Sequence, residues 1–220
     1  MTFRPMCVGR SGQDCTRCIL PAQRRPGWNC ARCWETALIE LETLEFPDGR
    51  PLRLGVVSDT HVPDRAQELH PGLIPSLAAA RVDLILHGGD ISTPAVLETL
   101  AQVAPVRAVR GNRDFAFLGK LPLARAFQIG PRKLVLMHGH GGWLRYLLDK
   151  VEYIRHGYRL ERYHDLLMET LPQADGVIFG HTHFVENVWK GGKLLFNAGS
   201  ASMGSPVHPL PSFGVLSVAQ

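Results

Sequence analysis

The sequence predicts an α/β fold with mixed β-sheets, and three observations support that class. Short apolar runs, rich in β-branched residues, recur along the chain and predict buried strands. In the first half of the chain these runs alternate with segments of helical spacing, whereas in the second half they pair across glycine turns as hairpins. The 220 residues, of which 45% are hydrophobic and 20% charged, are enough to bury one core.

The first half begins with a short acidic stretch, residues 35–45, for which we predict a helix followed by a turn at Pro47–Gly49. A second helix is predicted at residues 66–80 from its apolar spacing. A third is predicted at residues 94–104, where Pro94 suits the first position of a helix. Apolar, β-branched runs predict three buried strands, at Leu52–Ser58, Val82–Leu86 and Val106–Val109.

Glycine turns organise the second half. Gly130-Pro131 and Gly191-Gly192 each separate two apolar runs and indicate two hairpins. The predicted strands are Ala126–Ile129, Lys133–Met137, Gly176–Phe179, Val185–Trp189, Lys193–Phe196 and Phe213–Val218. A long segment of helical spacing, residues 143–171, lies between the first hairpin and the strand at Gly176–Phe179.

The N-terminal 34 residues differ from the rest of the chain in charge. They carry six arginines against Asp14 alone, whereas the other residues hold eighteen basic and nineteen acidic groups. The near-neutral body gives no support for a nucleic-acid partner. We therefore predict a Cys/Arg-rich N-terminal extension, residues 1–50, followed by one main domain, residues 51–220.

All five cysteines lie in the extension, and four of them form two CxxC pairs: Cys15, Cys18, Cys30 and Cys33. Paired CxxC motifs are typical of a structural zinc site. The gap between the pairs is short for a zinc ribbon and Cys7 is left over, so the alternative is a disordered leader. The segment Met1–Arg10 is too polar for a secretory signal, and no apolar run reaches the ~18 residues of a membrane span. We expect a cytoplasmic protein with no membrane contact.

Polar residues of ligand type recur where the predicted strands end. Strand ends are where α/β folds place their sites, because the sheet fixes positions and the following loop bends freely. Neighbouring glycines allow the loops to approach one another closely. The candidate ligands are Asp59, His61, Asp90, Asn112, His138, His181 and His183.

The ordered motifs resemble those of the calcineurin-like metallophosphoesterase superfamily, and of its small bacterial phosphodiesterase branch in particular. They are Asp59-Thr60-His61, Gly89-Asp90, Gly111-Asn112-Arg113-Asp114, His138-Gly139-His140, Gly180-His181-Thr182-His183 and Asn197-Ala198-Gly199-Ser200. The resemblance covers residues 52–220. It implies a four-layer α/β/β/α sandwich with two mixed β-sheets and a two-metal centre at one end.

The resemblance also implies roles for the candidate ligands. One ion would be held by Asp59, His61 and His183, and the other by Asn112, His138 and His181, with Asp90 bridging them. A hydroxide between the ions would then attack the phosphorus of a phosphate diester or monoester. The mixed ligand set favours manganese, with iron, cobalt, nickel or zinc as alternatives.

Three residues are candidates for a direct part in catalysis: Asn112, Arg113 and His140. Many members of the superfamily have a histidine where this chain has Arg113. Arginine is a poor general acid but binds phosphoryl oxygens well, so we predict an electrostatic clamp. His140 is a substitute proton donor or, alternatively, a surface or supporting histidine.

Several alternatives stay open at this level. The 143–171 segment is either an amphipathic helix pair packed on the sheet or a lid that contacts a nucleotide-like substrate. The leading function is a metal-dependent phosphoesterase acting on small phosphate esters. A scaffold of the same fold, like the retromer subunit of this superfamily, is one alternative, and a nuclease is another. Since every candidate ligand follows Leu52, we expect residues 1–50 to be dispensable for hydrolysis.

Overall fold

The computed structural model describes residues 39–114, 118–140, 160–171, 173–205 and 207–220. Ten strands and three α-helices lie in these ranges, with a single 3-10 turn at Pro47–Gly49. The strands are β1 (Ile39–Leu44), β2 (Leu52–Val57), β3 (Leu84–His87), β4 (Val106–Ala108), β5 (Ala124–Ile129), β6 (Arg132–Met137), β7 (Gly176–Phe179), β8 (Val185–Lys190), β9 (Lys193–Ala198) and β10 (Gly214–Val218). The helices are α1 (Leu73–Ala79), α2 (Pro94–Ala101) and α3 (Leu160–Thr170).

Two mixed β-sheets form the centre of the molecule. One has six strands in the order β1-β5-β6-β7-β9-β8, and the other has four in the order β10-β2-β3-β4. The sheets pack face to face through an apolar core to which both contribute, including Leu54 and Leu86 from the smaller sheet and Phe127, Leu136 and Ile178 from the larger. Burial of these side chains is the main force that holds the two sheets together.

Helices cover the outer faces of both sheets. Leu77 of α1 and Leu100 of α2 are fully buried in a second core with Ile85 of the smaller sheet. Leu167 of α3 packs with Phe179 on the outer face of the larger sheet. The predicted four-layer α/β/β/α sandwich is therefore confirmed.

Most element predictions are also confirmed. Both hairpins form, with β5 antiparallel to β6 and β8 antiparallel to β9, and α2 begins at Pro94 as expected. The helix predicted over residues 66–80 is shorter, since α1 begins only at Leu73, after Pro71. Proline lacks a backbone N–H and disfavours a helical residue before it, which accounts for the late start.

The helix predicted over residues 35–45 is wrong for the part that is described. Residues 39–44 form β1, which pairs in parallel with β5 at the edge of the larger sheet. Leu41 of this strand is 59% exposed, whereas Glu42 and Leu44, which lie on its opposite face, are partly buried. Glu42 of β1 forms a bidentate ion pair with Arg107 of β4, in which Nε and Nη2 of the arginine each donate to a carboxylate oxygen at 2.7 Å. This pair joins the edges of the two sheets.

Two sequence predictions fall on residues outside the described ranges. The cysteine pairs lie within residues 1–38, so the zinc knuckle and the disordered leader both stay predictions. Of the 143–171 segment only α3 is described. Tyr163 and Leu167 of α3 pack against the sheet, as expected of an amphipathic helix. Within the described ranges, none of the helices combines the length and the apolar character needed to cross a bilayer.

The position of β1 bears on the boundary predicted at residue 50. A chain that starts at residue 51 loses β1, the Glu42–Arg107 ion pair and the packing of Leu44 and Phe46 on the core. We expect its free energy of unfolding to be lower than that of a chain starting at residue 39 by roughly 2–4 kcal/mol, the value of about two partly buried apolar side chains. Urea titrations of both truncations, together with kcat, provide the check. Equal stabilities would mean that β1 contributes nothing to the sheet.

Candidate metal centre

All seven predicted ligands come together at one end of the two sheets. Six of them follow the carboxyl ends of β2, β3, β6 and β7, and Asn112 lies in the loop after β4. Because β2, β3 and β4 are parallel to one another, as are β6 and β7, their carboxyl ends meet at the same edge of each sheet. The packing of the sheets then brings the two edges together.

One group of donors consists of Asp59, His61 and His183. The Nε2 atoms of His61 and His183 are 3.2 Å apart. Oδ1 of Asp59 lies 3.3 Å from Nε2 of His183 and 3.8 Å from Nε2 of His61. Three donor atoms from two loops on opposite sheets thus face one another.

A second group contains Asp59, Asp90 and His138, so Asp59 belongs to both groups. Oδ1 of Asp90 is 3.5 Å from Nε2 of His138, and Oδ2 of the same carboxylate is 3.8 Å from Nε2 of His61. Asp90 therefore belongs to the second group and also lies near the first. Oδ1 of Asn112 is 3.0 Å from Nε2 of His138 and 3.0 Å from Nδ1 of His181, which places both of these residues beside the second group.

The backbone at these positions is strained. A positive φ occurs at five of the seven candidate ligands: Asp59 (53°), His61 (50°), Asp90 (54°), His181 (69°) and His183 (60°). Residues other than glycine adopt this conformation rarely, and it costs free energy that the rest of the fold must supply. Such strain is typical of functional sites, because the fold holds side chains there in positions that relaxed loops do not give.

Asp114 is the residue that organises the Asp90 loop. Its buried carboxylate accepts hydrogen bonds from the backbone N–H groups of Asp90 (2.9 Å), Ile91 (2.8 Å), Ser92 (2.9 Å) and Gly111 (2.8 Å). It therefore fixes the loop that carries Asp90 to the loop that carries Asn112. Asp114 is the last residue of the Gly111–Asp114 motif, and no role was predicted for it. Its place directly after Asn112 and Arg113 is the signal that could have found it.

Two loops approach each other so closely that a glycine is needed on each of them. A Cβ on Gly111 would overlap the backbone nitrogen and Oδ1 of Asp90. On the other loop, Gly89 has a φ of +96°, and a Cβ there would lie 2.8 Å from the nitrogen of Gly111. The two glycines thus allow Asp90 and Asn112 to come together.

Asp59 is held by the backbone of His181 and by serine side chains for which the sequence predicted no role. Ser58 donates its hydroxyl to Oδ2 of Asp59 at 2.6 Å, and the backbone N–H of His181 donates to the same oxygen at 3.0 Å. Ser200 donates its hydroxyl to the backbone oxygen of Asp59 at 2.7 Å. These contacts turn Oδ1 of Asp59 toward the histidines. Ser200 ends the Asn197–Ser200 motif, so the sequence did contain a signal for it.

Supporting hydrogen bonds also orient the imidazoles. Nδ1 of His138 lies 2.8 Å from the backbone oxygen of Gly88, an acceptor, so Nδ1 carries the proton and Nε2 faces the cluster. His87 is fully buried beneath the site and receives the N–H of Gly89 on Nδ1 at 3.2 Å. Its Nε2–H then donates to the hydroxyl of Thr60 at 3.2 Å. Burial lowers the pKa of His87 to about 4, so this histidine is neutral. Its two hydrogen bonds connect the first two ligand loops.

The electrostatics of the cluster favour positive charge. Burial raises the pKa of Asp59, but its contact with His183 and the charge of His138 outweigh burial, and the net pKa is lowered. Burial likewise opposes ionisation of Asp90, but His138 outweighs it and the pKa is lowered. Burial lowers the pKa of His138, whereas the Asp90 carboxylate reverses this and raises it to about 9. Two buried carboxylates thus draw a cation into the site.

Burial lowers the pKa of three other histidines at the cluster. Burial, with the charge of His138, lowers the pKa of His181 to about 3. Burial lowers the pKa of His61 as well. His140 lies beside the cluster, with its ring centroid 5.3 Å from that of His138 and 6.4 Å from that of His181. Burial followed by the charge of His138 lowers the pKa of His140 to about 4.

Arg113 lies at the rim of the site. Its backbone N–H donates to Oδ1 of Asp90 at 2.8 Å, while its guanidinium forms a bidentate ion pair with Asp64. The hydrogen bond from Arg113 lowers the pKa of Asp64, which is therefore ionised. Asp64 was not among the residues singled out from the sequence. It belongs to no motif, and only the structure brings it to Arg113.

The donor set fits divalent transition-metal ions. Donors that share one ion at about 2.0–2.2 Å are about 3.0–3.5 Å apart, and the His61–His183 and His183–Asp59 separations of 3.2 and 3.3 Å agree with this. Oδ1 of Asp59 is buried and has no hydrogen-bond partner among the described residues. Burial of such an oxygen is costly unless a cation compensates it. Fold and cluster together define a metal-binding protein of the four-layer sandwich class.

Comparison with known proteins gives the family. The chain belongs to the calcineurin-like phosphoesterase superfamily, whose domain profile matches residues 52–220. A probable metallophosphoesterase of Methanothermobacter thermautotrophicus is 35% identical over 152 residues, 68% of this chain and 77% of the relative. A probable metallophosphoesterase of Methanocaldococcus jannaschii is 34% identical over 180 residues, 81% of this chain and 82% of the relative. The superfamily predicted from the motifs is confirmed.

A solved structure is similar over the same region. Wild-type Vps29 from Entamoeba histolytica, complexed with Zn²⁺, has 30% sequence identity to this chain and a TM-score of 0.59. The match covers 76% of this chain and 86% of the Vps29 chain. The similarity supports the fold and leaves both a catalytic and a scaffold role to be considered.

Proposed function

We propose that this protein is a hydrolase that cleaves phosphate esters with two divalent metal ions. The observation that carries the proposal is that two carboxylates connect the two donor groups. Asp59 belongs to both groups, and Asp90 lies near His138 of the second group and His61 of the first. Two adjacent cations repel each other, so a two-metal site needs carboxylates at its centre. The donors assigned to one ion are Asp59, His61 and His183, and those assigned to the other are Asn112, His138 and His181, with Asp90 bridging.

Bound divalent ions supply Lewis acidity and offset the charge of the phosphoryl group. The protein's own residues supply orientation. Gly88 and Asn112 hold the imidazole of His138, and Asp114 fixes the Asp90 loop, so that the donors are held in place before substrate arrives. Manganese is the ion we expect, because imidazole, carboxylate and amide donors occur together; the Zn²⁺ in the Vps29 complex makes zinc the first alternative.

Arg113 and His140 are proposed to contact the substrate. Arg113 is anchored through its backbone to Asp90, so its guanidinium lies where it can bind phosphoryl oxygens at the rim. His140 packs beside His138 and His181. Its pKa is lowered to about 4, so it has no proton to give to a leaving group near neutral pH, and we propose that it contacts the substrate as a neutral imidazole. Asn112 contacts both imidazoles of the second group and is proposed to act as ligand and substrate contact.

A screen of small phosphate esters tests the proposed activity. Wild-type protein loaded in turn with Mn²⁺, Zn²⁺, Co²⁺ and Ni²⁺ is assayed with p-nitrophenyl phosphate and with methyl p-nitrophenyl phosphate, which share a leaving group. We expect turnover of at least one ester and its loss on chelation. Absence of turnover of every ester tested, in protein that holds two ions per chain, would contradict the proposal.

A protein-interaction scaffold is the second candidate. Similarity to Vps29 favours it, and so does the exposed edge strand β8, where Trp189 is 68% and Val185 is 47% exposed. The complete ligand set argues against it, since a scaffold does not need two carboxylates buried among four imidazoles. Metal binding without any hydrolysis would favour the scaffold over the enzyme.

The role of Arg113 can be separated from that of a proton donor. A clamp stabilises phosphoryl charge whatever the leaving group is. We therefore expect Arg113→Ala to lower kcat/KM for every ester, through a loss of about 2–4 kcal/mol of transition-state stabilisation. A plot of log(kcat/KM) against leaving-group pKa should keep its slope in this variant. Arg113→His should flatten the slope by assisting poor leaving groups. A steeper slope for Arg113→Ala would show instead that Arg113 delivers a proton.

A further inference from the structure

Asp64 and Arg113 form an ion pair that borders the candidate metal centre. Asp64 lies three residues after His61, and its Oδ2 is 3.9 Å from Nδ1 of that histidine. Its carboxylate accepts from Nε and Nη2 of Arg113, the second bond being 3.0 Å long. Both side chains are about one-third exposed, at 32% and 35%, so the pair lies at the mouth of the site.

The geometry of this pair has two chemical consequences. A carboxylate that binds Nε and Nη2 together holds one edge of the guanidinium and fixes its plane. The same carboxylate offsets the positive charge of Arg113. A phosphoryl group that approaches the rim therefore meets a guanidinium of fixed orientation whose charge is largely offset by Asp64.

We propose that Asp64 is the residue that sets how much phosphoryl charge the site accepts. Asp64 fixes the orientation of the Arg113 guanidinium and offsets its positive charge. A dianionic phosphoryl group would need that positive charge in addition to the charge of the metal ions. A monoanionic ester has no such need. This inference rests on the proposed phosphoesterase function and goes beyond it, because it assigns charge selection to a residue outside the motifs.

A purely structural role is the competing explanation. The pair also ties the loop after β2 to the loop after β4, just as the contacts of Asp90 with Arg113 and Asp114 tie the loop after β3 to the loop after β4. A structural tie would affect all substrates alike, whereas charge selection affects dianions and monoanions differently. The chain contains a matched control: Asp83 forms a bidentate pair with Arg50, at 3.0 and 2.6 Å, and neither residue belongs to the site.

The test compares Asp64→Asn with Asp83→Asn. Asparagine at residue 64 removes the negative charge and keeps an oxygen that can accept from Arg113. The ratio of kcat/KM for p-nitrophenyl phosphate, a dianion, to that for methyl p-nitrophenyl phosphate, a monoanion, is measured at pH 8. We expect Asp64→Asn to raise this ratio at least about tenfold. One unit charge several ångströms away would change it by roughly 100-fold at an effective dielectric constant near 20, and solvent at the partly exposed pair screens part of that effect. Asp83→Asn should leave the ratio unchanged.

Asp64→Ala separates position from charge. It removes the acceptor as well, so we expect the same rise in the ratio together with a fall in kcat for both esters, since Arg113 is no longer held. A thermal melt of each variant reports whether it is folded. Equal effects of Asp64→Asn on both esters, or a ratio within twofold of wild type, would overturn the proposal in favour of a structural tie.

Binding without turnover keeps the test independent of the proposed function. Calorimetric titration of wild type and Asp64→Asn with inorganic phosphate and with dimethyl phosphate gives the same comparison for anions that need no cleavage. We expect phosphate to bind Asp64→Asn about tenfold more tightly relative to dimethyl phosphate. If the wild type hydrolyses no ester but this shift appears, the proposed function fails and the role of Asp64 stands. If Asp64→Asn binds neither anion, or binds both with unchanged ratio, the role of Asp64 fails.

Discussion

Replacement of Asp90 by asparagine is expected to lower kcat/KM by more than about 100-fold and to release most of the bound metal. Loss of a residue that merely supports a ligand costs roughly 10–100-fold in metal affinity or activity, and Asp90 lies between both donor groups. Asparagine has the same shape and can still accept the N–H of Arg113, but it cannot offset the charge of two cations. Metal content by elemental analysis and kcat/KM on the better ester are the two measurements.

The fold should persist in Asp90→Asn. Asp165→Asn is the matched control, because Asp165 is an exposed carboxylate, 62% accessible, that pairs with Lys190 away from the site. It should keep its metal and its activity. Full activity in Asp90→Asn would remove Asp90 from the centre of the mechanism, and equal losses in the two variants would point to a general effect of charge.

Replacement of Asp114 by asparagine is expected to give the largest loss of stability, roughly 3–5 kcal/mol in the free energy of unfolding. Four backbone N–H groups converge on its buried carboxylate, at 2.8–2.9 Å. Hydrogen bonds to a charged acceptor contribute about 1.5–3 kcal/mol each, and the amide of asparagine would turn N–H groups toward N–H groups. Denaturant unfolding of wild type and variant provides the measurement.

Asp175→Asn is the control for this prediction. Asp175 accepts one backbone N–H, from Lys133 at 2.7 Å, and its side chain is 41% exposed. Its replacement should cost no more than about 1 kcal/mol. If Asp114→Asn costs as little, the strained Asp90 loop is held by something other than the Asp114 carboxylate.

The patterns of the sequence were sufficient to predict an α/β fold with mixed sheets and the cluster of candidate ligands, whereas the four layers were predicted from the resemblance to the superfamily. Buried strands appear as apolar runs, and polar residues at their ends mark the edge where loops meet. This logic placed Asp59, Asp90 and His138 near one another without coordinates. The same local reading failed for residues 39–44, where acidic residues suggested a helix. These residues form a strand because β5 offers an edge to pair with and Arg107 offers an ion pair to Glu42, and neither partner is visible in the local sequence.

Contacts between distant loops were beyond prediction from the sequence. Arg113 was expected to meet substrate as an uncompensated cation, and the structure pairs it with Asp64, 49 residues earlier in the chain. Ser200 was quoted in a motif, yet its hydrogen bond to Asp59 crosses 141 residues. The first pair joins two loops at one edge of the smaller sheet, and the second depends on how the two sheets stack. No local pattern encodes either contact.

The central claim is that one chain holds two divalent ions in the Asp/His cluster. Calorimetric titration of the full chain with Mn²⁺ tests it most directly, because Mn²⁺ prefers carboxylate and imidazole donors and competes poorly for cysteine thiolates. We predict two Mn²⁺ ions per chain for the wild type and for Asp165→Asn, and a loss of at least one ion in Asp90→Asn. A wild type that takes up no Mn²⁺, or that binds it equally well after Asp90→Asn, would contradict the account.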